Sequence, residues 1–134
     1  MTERHLSTRT WVAMLVIAHL MISLIHGAAH TQGQVGMSAA ANVFVFVVIL
    51  AGPLLGLLLL WRYPRTGSWM IAATLAASFV FGLVNHFLVA GPDHVAHVAA
   101  HVRPLFTGTA VLLALTEAAG AVMALRIRRT VRAF

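Results

Sequence analysis

Residues 38–61 read SAAANVFVFVVILAGPLLGLLLLW, an unbroken run of 24 residues without one charged side chain, closed by Arg62. A helix rising about 1.5 Å per residue needs about 20 apolar residues to cross a hydrocarbon layer about 30 Å thick. The run is long enough for one crossing, and its lack of a polar face is what lipid, rather than water, requires. Within it, Pro53 has no N–H to give to the helix, which predicts a kink at Gly52-Pro53. Gly52 and Gly56 form a small-xxx-small face suited to close helix approach.

Working outward, three further apolar stretches flank this one, at about 11–30, 68–90 and 104–125. The turn Arg62-Tyr63-Pro64-Arg65-Thr66-Gly67 leads into the third segment, Gly91-Pro92 ends it, and the polar loop Thr31 to Met37 separates the first from the second. The expected fold is therefore all-α: an integral membrane four-helix up-and-down bundle. Residues 1–134 are expected to form a single transmembrane domain, since so short a chain has no room for a second one. The composition agrees, with 60% hydrophobic residues, 9% charged residues and a mean hydropathy of +0.92. The stretch from Trp11 to Ala29 is long for the apolar core of a signal peptide and lacks a small-residue cleavage site, so it reads as a retained helix.

Arginine placement sets the orientation. Arg4, Arg9, Arg62, Arg65, Arg126, Arg128, Arg129 and Arg132 fall at one end of the expected bundle, and Arg103 alone at the other. Positive residues collect on the cytoplasmic side, so both termini are expected to be cytoplasmic, in a multi-pass protein of a bacterial-type inner (plasma) membrane. Trp11, Trp61 and Trp69 mark that interface. The net charge of +6 thus reads as topology, with no basic patch interleaved with aromatics for nucleic acid. The expected partners are the lipid bilayer and other membrane subunits or further copies of the chain. With no cysteine, thiolate metal sites and Cys nucleophiles are excluded.

Eight histidines are present, and the topology carries six of them to the extracytoplasmic end: His26, His30, His86, His94, His97 and His101. In the first segment His19, Ser23, His26 and His30 recur every three or four residues, one polar stripe on an apolar rod that should face protein. Residues 92–102 are expected to form a short surface helix. Pro92 suits its first position and Asp93 its first turn, and His94, His97 and His101 would then share one face opposite Val95, Val98 and Val102. His26 with His30, and His97 with His101, have the i, i+4 spacing that offers two ring nitrogens to one ion. All-nitrogen ligation by these six histidines, with Asp93 as an optional carboxylate, suits Zn²⁺, Cu²⁺ or Fe²⁺ and not calcium or magnesium. Deeper in the membrane, His19 and Glu117 each lie about 13 to 15 Å from the cytoplasmic boundary, and ionisable groups there are expected to pair.

The His-xxx-His and His-xx-His spacings of His26 to His30 and His94 to His101 resemble the histidine boxes of membrane fatty-acid desaturases and hydroxylases, which bind two irons. The chain lacks a His-His doublet and is short for that fold, and its histidines are expected on the face opposite the cytoplasm, so the family is not assigned. Four functions follow from the residues: a metal-binding membrane protein, a haem b-bearing electron-transfer subunit with ligands on separate helices, a small di-metal oxidoreductase, and a structural or pH-responsive accessory subunit. No catalytic residue is singled out, because no nucleophile with its base, phosphate cradle or carboxylate pair occurs.

Overall fold

The computed structural model describes the backbone of residues 2–131 and the side chains of residues 8–127. Arg132 and the side chains of Arg4, Arg128 and Arg129, counted above among the cytoplasmic arginines, lie outside the described residues. Among those described the chain is helical with no strands, and four helices are long and apolar enough to cross a membrane. They are α1 (Thr2–Gln32), α2 (Ala39–Arg62), α3 (Pro64–Leu88) and α4 (Arg103–Val131).

The helices α1 and α4 outrun the apolar stretches that predict them, because hydropathy bounds the lipid-embedded part and not the helix. No glycine or proline interrupts Thr2 to Thr10 or Arg126 to Val131, so helical hydrogen bonding continues past the apolar boundary. Ser38 caps α2 by accepting from the Ala41 N–H at 3.1 Å. At the other end of α1, Gln34 adopts a left-handed conformation (φ 52°), and the Val35 N–H returns to the His30 carbonyl at 2.9 Å.

Just before Gly52-Pro53, α2 widens into a π-helical stretch, Val45–Ala51, ending as the Gly52 N–H reaches back five residues to the Val47 carbonyl. Pro53 has no N–H for the carbonyl four residues earlier, that of Ile49. The His19 Nε2–H supplies it at 3.0 Å, so α1 completes the hydrogen bonding of α2.

The glycines of α2 do what their spacing suggests. A Cβ on Gly56 would stand 2.7 Å from Ile71 Cγ1, and one on Gly52 would run into Thr74, so both lie against α3. Gly67 is tighter still, since a Cβ there would meet Leu60 Cα at 2.5 Å and the Gly56 carbonyl at 2.7 Å. Near this end Val12, Val16, Leu60, Ile71, Leu75 and Ala124 form a buried cluster drawn from all four helices. A smaller cluster of Ala29, Val98, Val102 and Phe106 closes the opposite end. Large apolar side chains such as Leu24, Phe46, Leu58 and Leu115 face outward, as lipid contact demands.

The expected helix over residues 92–102 is corrected by the structure to a succession of turns. Side chains and short-range N–H groups take carbonyls within it and just before it. His97 Nδ1–H donates to the Gly91 carbonyl at 2.7 Å, His94 Nε2–H donates to the Phe87 carbonyl at 3.3 Å, and the Arg103 guanidinium holds the Val98 carbonyl at 3.0 Å. Such local bonds compete directly with a helical ladder, and the burial of Val98 and Val102 beneath the loop favours them.

Candidate metal centre

The stripe on α1 faces the bundle: His19, His26 and His30 are all buried, with exposures of 0%, 6% and 8%. His86 joins them from the π-helical end of α3, Val84–Leu88. The His26 ring meets those of His30 and His86 edge to face, each at 4.9 Å, and all three rest on the Phe106 ring. One ring nitrogen from each histidine lies within 4.8 Å of the other two.

The hydrogen-bond partners favour one tautomer in two of these rings. Thr109 Oγ1 gives its single hydrogen to the carbonyls of Leu105 and Phe106, at 2.8 Å and 3.0 Å, and therefore accepts from His26 Nδ1–H at 2.7 Å. His26 Nε2 is left with a lone pair and, although buried, has no partner. His86 Nδ1–H donates to the Asp93 carbonyl at 3.1 Å, which leaves its Nε2 as the lone-pair nitrogen as well. A metal-bound imidazole has this arrangement, with one nitrogen on the ion and the other donating to an oxygen that orients the ring.

Asp93 lies at the rim of the cluster. Its Oδ1 is 3.1 Å from His30 Nε2 and 3.3 Å from His86 Nδ1. Both contacts are within ion-pair range, but the oxygen stands off the line of the ring N–H bonds and is counted as buried without a hydrogen bond. With His26 Nε2 and His30 Nδ1 it makes three unsatisfied buried polar atoms in one small volume. Each such atom costs about 1–3 kcal/mol when nothing satisfies it.

The other histidines are placed elsewhere. The rings of His94 and His97 lie 5.3 Å apart and bind the Phe87 carbonyl at the end of α3 and the Gly91 carbonyl of the loop, and His101 is exposed. The structure thus brings together His26, His30, His86 and Asp93, and leaves His94, His97 and His101 outside that group. The deeper pair does meet: His19 Nδ1 and Glu117 Oε1 are 3.6 Å apart, both residues almost fully buried.

A haem b held between two imidazoles needs a flat slot separating the facing nitrogens. Here the rings touch one another edge to face and fill that space, so the haem reading gains no support.

Thr109 is the site residue that sequence reasoning missed. The signal was available, since Thr109, Leu113 and Glu117 recur every four residues on α4 and place Thr109 on the face of the intramembrane carboxyl Glu117. Below the histidines a cavity of about 360 Å³ extends to Glu117, with walls from all four helices. Comparison of the chain with protein-family models, curated proteins and solved structures finds no match.

Proposed function

We propose that this chain is an integral membrane protein that holds a transition-metal ion through His26, His30 and His86, with Asp93 as a fourth ligand or as the anion that orients two of the rings. The observation that carries the reading is the convergence of three buried histidines, two of which, His26 Nε2 and His30 Nδ1, have ring nitrogens without a partner that a cation would satisfy, while Asp93 Oδ1 faces the opposite nitrogens of His30 and His86. Zinc, copper and iron suit imidazole ligation. A tetrahedral zinc site with bonds of about 2.0–2.1 Å asks the nitrogens to close in by roughly an ångström from their present spacing. A bound ion with three protein ligands would supply Lewis acidity at its remaining position.

In this reading the bundle runs up and down with both termini in the cytoplasm of a bacterial-type cell, supported by the arginine distribution, and the metal sits at the extracytoplasmic end. The apolar cluster of Val12, Val16, Leu60, Ile71 and Leu75 separates the site from the opposite face, which favours holding an ion over conducting one. Elemental analysis of the purified protein, repeated on His30→Ala and His86→Ala, tests the proposal. About one equivalent in the wild type and loss in both variants is expected, whereas equal metal content in all three would overturn it.

A further inference from the structure

The cavity that His26, His30, His86 and Asp93 line at one end extends to features that metal binding does not use. Its lining is largely apolar, with Phe81 and Leu113 among the inner residues, Asp93 at the histidine end and the Glu117 carboxyl at the far end. Glu117 is 3% exposed, and His19 Nδ1 stands 3.6 Å from its Oε1, beyond hydrogen-bond reach.

Two glycines on the wall keep this space open. A Cβ on Gly27 would have nothing within 4 Å, and one on Gly82 would meet only His86 Cδ2, at 3.7 Å. They differ in kind from Gly52, Gly56, Gly67 and Gly120, where a Cβ would collide with a neighbouring helix. Gly27 and Gly82 therefore serve no close helix contact, and what they contribute is volume.

The cavity opens on the lipid side. Its lining residues on α3 and α4 are buried or half-buried, whereas Leu24 on α1 and Phe46 on α2 are 63% and 66% exposed, and Gly27 and Asn42 beside them are exposed too. The mouth lies between α1 and α2, at membrane depth. A lipid-soluble molecule can enter there directly. The space, about 360 Å³, is at the small end for ligand pockets and suits a ring-sized headgroup rather than a whole lipid.

We propose that the cavity receives the headgroup of a lipid-soluble quinone or quinol through the gap between α1 and α2, with a ring oxygen toward Glu117 and the tail left in the bilayer. The ring suits the apolar wall. A carboxyl can donate or accept a hydrogen bond according to its protonation, so it can serve an oxygen that is a carbonyl in one redox form and a hydroxyl in the other. The binding needs no metal ion, so this proposal goes beyond the metal-site reading and fails separately from it.

The test is a calorimetric titration of the full chain, in phosphatidylcholine nanodiscs, with decylubiquinone, against empty discs. Saturable binding is expected, weakened about tenfold or more in Gly27→Leu and in Gly82→Leu, at positions where an added Cβ has no backbone atom of another element within 4 Å. Both variants should retain wild-type helix content, and the wild type stripped of metal by dialysis against EDTA should bind the quinone as tightly as before. No saturable signal above empty discs would overturn the proposal, as would unchanged binding in both glycine variants. Equal competition by dodecanol would assign the cavity to an alkyl chain and overturn it as well.

Discussion

Replacing Thr109 by valine removes one hydroxyl and almost no volume, and its consequences can be followed atom by atom. In the wild type the hydroxyl accepts from His26 Nδ1–H at 2.7 Å because its own hydrogen is committed to Leu105 and Phe106. In Thr109→Val that N–H is buried with no acceptor, at a cost of about 1–3 kcal/mol. The empty site has an escape, since the proton can move to Nε2, but the loaded site has none because Nε2 must keep its lone pair for the ion. The loss therefore falls on metal affinity, and loss of an orienting partner typically costs about 10- to 100-fold. That range converts to roughly 1.4–2.7 kcal/mol, which matches the desolvation cost. Zn²⁺ competition against a chromogenic chelator, with the protein in dodecyl maltoside, reads it directly. Thr109→Ser keeps the hydroxyl and should bind zinc close to wild type. Wild-type affinity in Thr109→Val, or an equal loss in Thr109→Ser, would refute the tautomer argument.

Three other outcomes are expected. Gly67→Ala drives a Cβ into the Leu60 backbone and should lower thermal stability in detergent by at least about 2 kcal/mol, whereas Gly108→Ala, with open space around it, should not. His19→Leu leaves the Glu117 carboxyl alone in the membrane and should destabilise by about 3–5 kcal/mol; the double variant His19→Leu/Glu117→Leu should recover much of this in a double-mutant cycle, and additive losses would deny the pairing. His97→Ala and His101→Ala should keep full metal stoichiometry, with His97→Ala losing about 1 kcal/mol for its bond to the Gly91 carbonyl, so metal loss in either would place these residues in the site after all.

Much of this organisation is legible in residue order. The uncharged run over 38–61 dictates a lipid-embedded helix, and the spacing of His19, Ser23, His26 and His30 dictates a stripe turned away from lipid, because lipid offers no hydrogen bonds. Depth counted from Arg9 and Arg126 brings His19 level with Glu117, and the two are within ion-pair range. The outer segment was not legible in the same way. Its histidines and valines have helical spacing, but a segment so short gains little from helix formation alone, and side-chain bonds to the Gly91, Phe87 and Val98 carbonyls prevail. As a result His86 and Asp93, rather than His94, His97 and His101, face the α1 histidines. Periodicity gives the face of a helix, but a loop's path depends on which carbonyls find partners. The π-helical widening was likewise readable only as an irregularity at Pro53, since its relief depends on His19, which is distant in sequence.

X-ray absorption at the zinc edge of the Zn²⁺-loaded protein tests the metal centre most directly. We predict a first shell of nitrogen and oxygen at about 2.0–2.1 Å, with imidazole outer-shell scattering that fits three rings in the wild type and falls to two in His86→Ala. A shell without imidazole scattering, or one unchanged by His86→Ala, would contradict the account.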